Sequence, residues 1–163
     1  MAVAFLLSLG GCAKPADLSD VIVSAVSPEE FTRFRSELGT RFPPELLQDF
    51  DTATQELQLD AMNRDVATAA GRELDMLRGA NGKPVHTVVR LGWQARRDRF
   101  LREIAELTRM LERDLEQQRH TATTGTPATV LARIQSEREV IAKLQRDLAE
   151  TERRLAEMSP AKP

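Results

Sequence analysis

Apolar residues return every three or four positions along most of this chain, the period of a helix that buries one face. Phe31, Phe34 and Leu38 predict a short first helix. Ser27 suits its cap, Pro28 its first position and Glu29-Glu30 its positive end, with Gly39 as the stop. Phe42-Pro43-Pro44 breaks the chain and opens a second helix. Leu46, Leu47, Phe50, Ala53, Leu57, Ala61 and Met62 keep the period, and Val66, Ala69, Ala70, Leu74 and Leu77 extend it. The spacing therefore predicts one helix from 44 to about 78, with Gly71 marking a bend or a close crossing.

Gly79-Ala80-Asn81-Gly82-Lys83-Pro84 is the clearest turn. Asn-Gly favours hairpins, but the segment before it has a helical period, so a helix is expected after it as well. Val85, Val88, Val89, Trp93, Phe100, Ile104, Leu107, Leu111 and Leu115 share one broad face from 84 to about 119. Residues 120–125 have no apolar period and read as a loop. Thr126-Pro127 restarts the helix as cap and first position. Ile134, Ile141, Leu148 and Leu155 then recur at intervals of seven. Val130, Leu144 and Met158 belong to a second register that Glu137 and Thr151 interrupt, which makes a heptad seam with polar breaks. Asp98/Arg102, Glu139/Lys143 and Glu150/Arg154 are expected as exposed i,i+4 pairs, each contributing ~0.2–0.5 kcal/mol.

The fold class that follows is all-α. Its simplest form is an elongated antiparallel three-helix bundle, or a coiled-coil hairpin, with a short extra N-terminal helix. Composition agrees. The 163 residues are 41% hydrophobic and only 4% aromatic, with one Trp and no Tyr, which favours helix over sheet. Net charge is −2, so no overall basicity points to nucleic acid. The charge is uneven: residues 28–82 carry eleven acidic and six basic side chains, and residues 83–120 six acidic and nine basic. Oppositely charged parts of one chain can pair with each other or face different partners.

Ahead of the helices, Met1 to Leu9 is apolar apart from Ser8. It is far short of the ~20 residues that span a bilayer, and it fits the ~7–15-residue apolar region of a secretory signal. Leu9-Gly10-Gly11-Cys12 follows and resembles the lipobox of bacterial lipoproteins. One departure is that no Lys or Arg precedes the apolar run, where such a signal is normally basic. The resemblance covers only this stretch. It implies diacylglyceryl attachment to Cys12, removal of residues 1–11, and a membrane-anchored protein of the cell envelope facing the periplasm. Ala13 at the next position then favours the outer membrane. Cys12 is the single cysteine, so it has no disulfide partner in its own chain. Residues 12–26 read as a lipidated tether, within which Val21-Ile22-Val23 suits a short strand or an extended packing segment. Residues 27–158 read as one helical domain and 159–163 as a disordered tail.

The chemistry is sparse. Arg90, Arg96, Arg97, Arg99 and Arg102 surround Trp93, with Arg90, Arg96 and Arg97 three or four residues from the indole. This group can dock an acidic partner, or it can pair with the acidic 44–78 helix around a core tryptophan. His86 and His120 fall at opposite ends of one helix, too far apart to share a metal. No phosphate loop or nucleophile–base set can be assembled, so neither catalysis nor a cofactor is expected. The expected role is contact with an envelope protein, as scaffold, spacer or assembly accessory. The polar breaks in the seam admit a homo-oligomer. The competing expectation is a soluble cytoplasmic helical module that binds through the arginine face.

Overall fold

The computed structural model describes residues 17–121, 125 and 127–158. The lipobox-like stretch with Cys12, residues 122–124 of the loop expected over 120–125, Thr126 and the 159–163 tail lie outside the described residues, and His120 and Thr121 are helical rather than part of that loop. Five helices follow a 3-10 turn at Leu18–Asp20: α1 (Pro28–Arg41), α2 (Pro44–Asn63), α3 (Ala69–Ala80), α4 (Val85–Thr121) and α5 (Ala128–Glu157). The described residues form an all-helical protein, as the apolar period predicts.

α1 begins as expected, with Ser27 Oγ accepting from Glu30 N at 3.3 Å and Pro28 in the first turn. It does not stop at Gly39. It runs on to Arg41 and ends at Phe42, whose extended backbone (φ −129°, ψ 142°) is what a following proline demands. Pro44 then opens α2.

The single helix expected over 44–78 is two helices. Asp65 adopts φ 62°, and Val66 N bonds back to Ala61 O at 3.2 Å while Asp65 N bonds to Met62 O at 3.3 Å. This is the left-handed helix ending in which glycine is usual. Thr68 restarts the chain, its hydroxyl accepting from Gly71 N at 3.0 Å. Arg72 donates to the carbonyls of Val66 and Ala67, so the connecting turn is closed from both sides. Arg64 pairs with Asp75 at 2.7 Å and folds α3 back along α2.

α4 is the central element, with α2 and α5 both packed against it. Ala53 meets Gly92, Glu56 meets Arg99, and Asp60 meets Arg102, so α2 and α4 run in the same direction. The short α3 makes this possible by carrying the chain back to the starting end. Arg133 meets Asp114, and Arg154 stacks on Trp93, so α5 runs antiparallel to α4. The close crossing lies at Gly92 rather than Gly71.

The apolar core gathers at the N-terminal end of α4. Phe50, Leu38, Leu47, Met76, Leu77 and Val88 are almost fully buried there. Phe34 meets Phe50 edge-on with ring centroids 6.3 Å apart. The segment before α1 belongs to this core, since Val23 and Ala25 are buried within it. Val23 N donates to Lys83 O at 2.9 Å, Gly82 N to Val23 O at 2.8 Å and Val85 N to Val21 O at 2.8 Å. Gly82 supplies the left-handed φ of 75° that the turn needs. Val21-Ile22-Val23 is thus an extended packing segment with one bridge, Ile22 to Pro84.

Candidate interaction surface

Three features along α4 carry the polar and exposed chemistry. The first is the arginine group. Arg99 makes a bidentate pair with Glu56, Nε to Oε2 at 3.0 Å and Nη2 to Oε1 at 2.8 Å. Glu56 is only 7% exposed. Burial works against the Arg99 cation, but hydrogen bonds to Glu56 and Glu103 outweigh it and hold its pKa above the ordinary arginine value. Arg96 lies over both Trp93 and Phe100, with Nε 3.8 Å from Glu56. Arg154 of α5 also stacks on the indole, 5.0 Å from its centroid, and reaches Asp49 at 2.7 Å. Trp93 itself is buried, and its Nε1 finds no hydrogen-bond partner among the described residues.

Arg97 pairs with its neighbour Asp98, and Arg102 reaches Asp60 at 3.5 Å while staying half-exposed. Arg90 is exposed. The structure therefore joins Trp93, Arg96 and Arg99 to α2 and α5, and leaves Arg90, Arg97 and Arg102 nearer to solvent. Of the expected i,i+4 pairs, only Glu150–Arg154 is present among the described ion pairs, at 3.4 Å. Arg102 turns to Asp60 instead of Asp98, and Lys143 pairs with Asp147 instead of Glu139.

The second feature is a groove of about 820 Å³ where α4 begins. α5 runs antiparallel to α4 and stops short of the α4 N-terminus, so that Met158 lines the groove with Val89, Arg90 and Leu91. Beyond that point the α4 face carrying Val85, His86, Val89 and Arg90 faces the groove, with Leu46 and Asp49 of α2 beside it. Asp17 and Leu18 line the same groove, and so do Glu157 and Met158. His86 Nδ1 lies 2.8 Å from Ser19 O and ties the 3-10 turn to α4.

The third feature is the distal hairpin. α2 accompanies α4 only as far as the Asp60–Arg102 pair. Past it, α4 packs against α5, and Ile104, Leu107 and Leu111 are only half-buried there. Val130, Ile134, Leu144, Glu137 and Thr151 are the buried positions of α5. Thr151 satisfies its hydroxyl on Asp147 O at 2.8 Å. Glu137 is 6% exposed, and its Oε2 finds no hydrogen-bond partner among the described residues. Nearby, Arg133 grips Asp114 across the hairpin, with Nη2 to Oδ1 at 2.6 Å. That hydrogen bond holds the Asp114 carboxyl below its usual range. Pro127 stands at the cap of α5 rather than at its first position, and no side chain among the described residues caps this end.

Nothing matches in the comparisons with known proteins. No family model, curated protein or solved structure matches the chain. His86 and His120 fall at the two ends of α4, and no group of three or more metal-ligating side chains occurs among the described residues. No described helix is long and apolar enough to cross a membrane.

The groove was not visible in the sequence. Its lining comes from four separate segments, and no periodicity marks where α5 stops short. The buried role of Glu56 was also missed, although its signal was present. It sits on the apolar side of α2, one position before Leu57, where a carboxylate needs a buried cation.

Proposed function

We infer that this chain is a lipid-anchored protein of the bacterial cell envelope that works by contact along a projecting helical hairpin, as scaffold, spacer or assembly accessory and without catalysis. The lipobox-like Leu9-Gly10-Gly11-Cys12 supports the anchor. The observation that carries the rest is the position of Asp17. It lines the groove at the start of α4, five residues after Cys12. Five residues reach at most about 18 Å, so an anchor at Cys12 keeps the apolar core close to the membrane. α4 leads away from that end for 37 residues, or roughly 55 Å at the helical rise. The hairpin tip is then the part of the molecule farthest from the lipid.

In this reading α4 and α5 form an antiparallel coiled-coil hairpin whose inner half is braced by α2 and whose outer half is free for a partner. The outer half holds Glu137 at an inner position, a device that in coiled coils sets register at a cost in stability. The partner is an envelope protein or a second copy of this chain. Ala13 after Cys12 favours the outer membrane. Of the arginine group, Arg90, Arg97 and Arg102 lie on the inner half and nearer to solvent, where they can meet a partner, because Arg96 and Arg99 are engaged with Glu56.

Labelling with radioactive palmitate, in the natural chain and in Cys12→Ala, tests the anchor. The expected result is label in the first and none in the second, with loss of membrane fractionation in the variant. Unlabelled, soluble behaviour in both overturns it and favours the alternative, a cytoplasmic binding module.

A further inference from the structure

We propose that the groove at the start of α4 holds one acyl chain of the protein's own lipid; this rests on the lipid-anchor reading above. The groove is half open and sets Leu46, Val89, Leu91 and Met158 among polar side chains; at about 820 Å³ it has the size of a small-ligand site. Leu46 is 56% exposed, a large apolar side chain left open beside the core. The place is the one that α5 would fill if it continued along α4 past Met158.

Two stretches of chain reach this groove, since Asp17 and Met158 both line it. The stretch after Met158, Ser159-Pro160-Ala161-Lys162-Pro163, brings no large apolar side chain. The stretch before Asp17 brings Cys12, and the lipid it carries in this reading is a strongly apolar group within reach. Ala13-Lys14-Pro15-Ala16 covers at most about 18 Å and brings no large apolar side chain to compete. Holding one chain in the groove leaves the others in the bilayer. It seats the helical body directly on the membrane and fixes the direction of the hairpin, which a covalent link at Cys12 alone does not do.

Thiol accessibility in isolated membranes tests this. Leu46→Cys and Leu131→Cys are made separately in the full chain. The two leucines are comparably exposed, at 56% and 44%, and lipidation leaves Cys12 without a free thiol. With an acyl chain in the groove, maleimide labels position 46 about tenfold more slowly than position 131. Adding Met158→Glu, at the very end of α5, expels the chain and brings the two rates to within about twofold. Val89→Glu serves as a second expelling variant, and circular dichroism verifies helix content in both. Equal rates before either change overturn the proposal. Protection of position 46 that survives both changes also overturns it, because the cover is then the bilayer. The intact mass of each sample keeps the two ideas apart. Lipid mass with an unprotected position 46 removes the groove alone, and a mature chain without lipid removes the anchor and the groove together.

Discussion

Gly92 of α4 lies so close to Ala53 of α2 that a Cβ on Gly92 would collide with the Cα, Cβ and carbonyl oxygen of Ala53. The two helices meet there backbone to backbone. Gly92→Ala gains about 1 kcal/mol of helix propensity, but overpacking against backbone costs 1–3 kcal/mol or more and cannot be relieved by a rotamer change. Collision with backbone atoms puts the cost at about 3 kcal/mol, the upper end of that range, so the expected net effect is a loss of roughly 2 kcal/mol in chemical denaturation. Gly79→Ala in α3 meets nothing within 4 Å and should raise stability by about 0.5–1 kcal/mol. Opposite signs for the two substitutions are the check.

The arginines around Trp93 are predicted to separate by position. Arg99→Glu leaves Glu56 buried against a like charge and should cost about 2–4 kcal/mol in thermal or denaturant unfolding. Glu56→Ala should cost about 2 kcal/mol, less than a fully buried pair because Arg99 keeps some contact with water. Arg97→Glu disturbs only the exposed pair with Asp98 and should stay within about 0.5 kcal/mol of the parent. If Arg97→Glu destabilises as much as Arg99→Glu, the structural division between them is wrong.

Asp65 is predicted to tolerate glycine but not a branched residue. Its φ of 62° ends α2 and allows α3 to fold back. Asp65→Gly should be neutral or stabilising by up to about 1 kcal/mol, whereas Asp65→Val should cost about 1–2 kcal/mol through left-handed strain. Equilibrium unfolding of the two variants decides it.

The distal hairpin should weaken in acid. Hydrogen bonding from Arg133 lowers the folded pKa of Asp114 below its unfolded value. A depressed carboxylate contributes its full stabilisation above the unfolded value, about 3.9, and loses it as pH falls through the folded one. Melting temperature measured between about pH 5 and pH 2 should therefore fall more steeply in the natural chain than in Asp114→Asn. Parallel curves for the two proteins would remove Asp114 from the account.

Helix existence was legible from the sequence because the apolar period is strong, and so were the start of α1 and the inner placement of Glu137 and Thr151. The break between α2 and α3 was not. Its left-handed residue is Asp65, and Val66 and Ala69 keep the apolar rhythm across the gap. Thr68 was the available signal, a capping side chain three residues before the amide it accepts from. Missing that break hides the direction of α2 as well, since a single long helix would run antiparallel to α4. Gly39 misled in the other direction. Glycine permits a helix ending but does not compel one, and here the proline after Phe42 compels it. The arginine group was legible as a choice between pairing and docking, and Glu56 is the residue that draws Arg96 and Arg99 inward.

The tightly packed cluster around Phe50 draws on α1, α2, α3 and α4 but contains no residue of α5. Firmness is therefore concentrated at one end of the molecule. Amide protons in the outer turns of α4 and in α5 have a cheaper route to exchange than those around Val88, because α5 can lift away without opening that cluster. Such a body is stiff at its base and compliant at its tip.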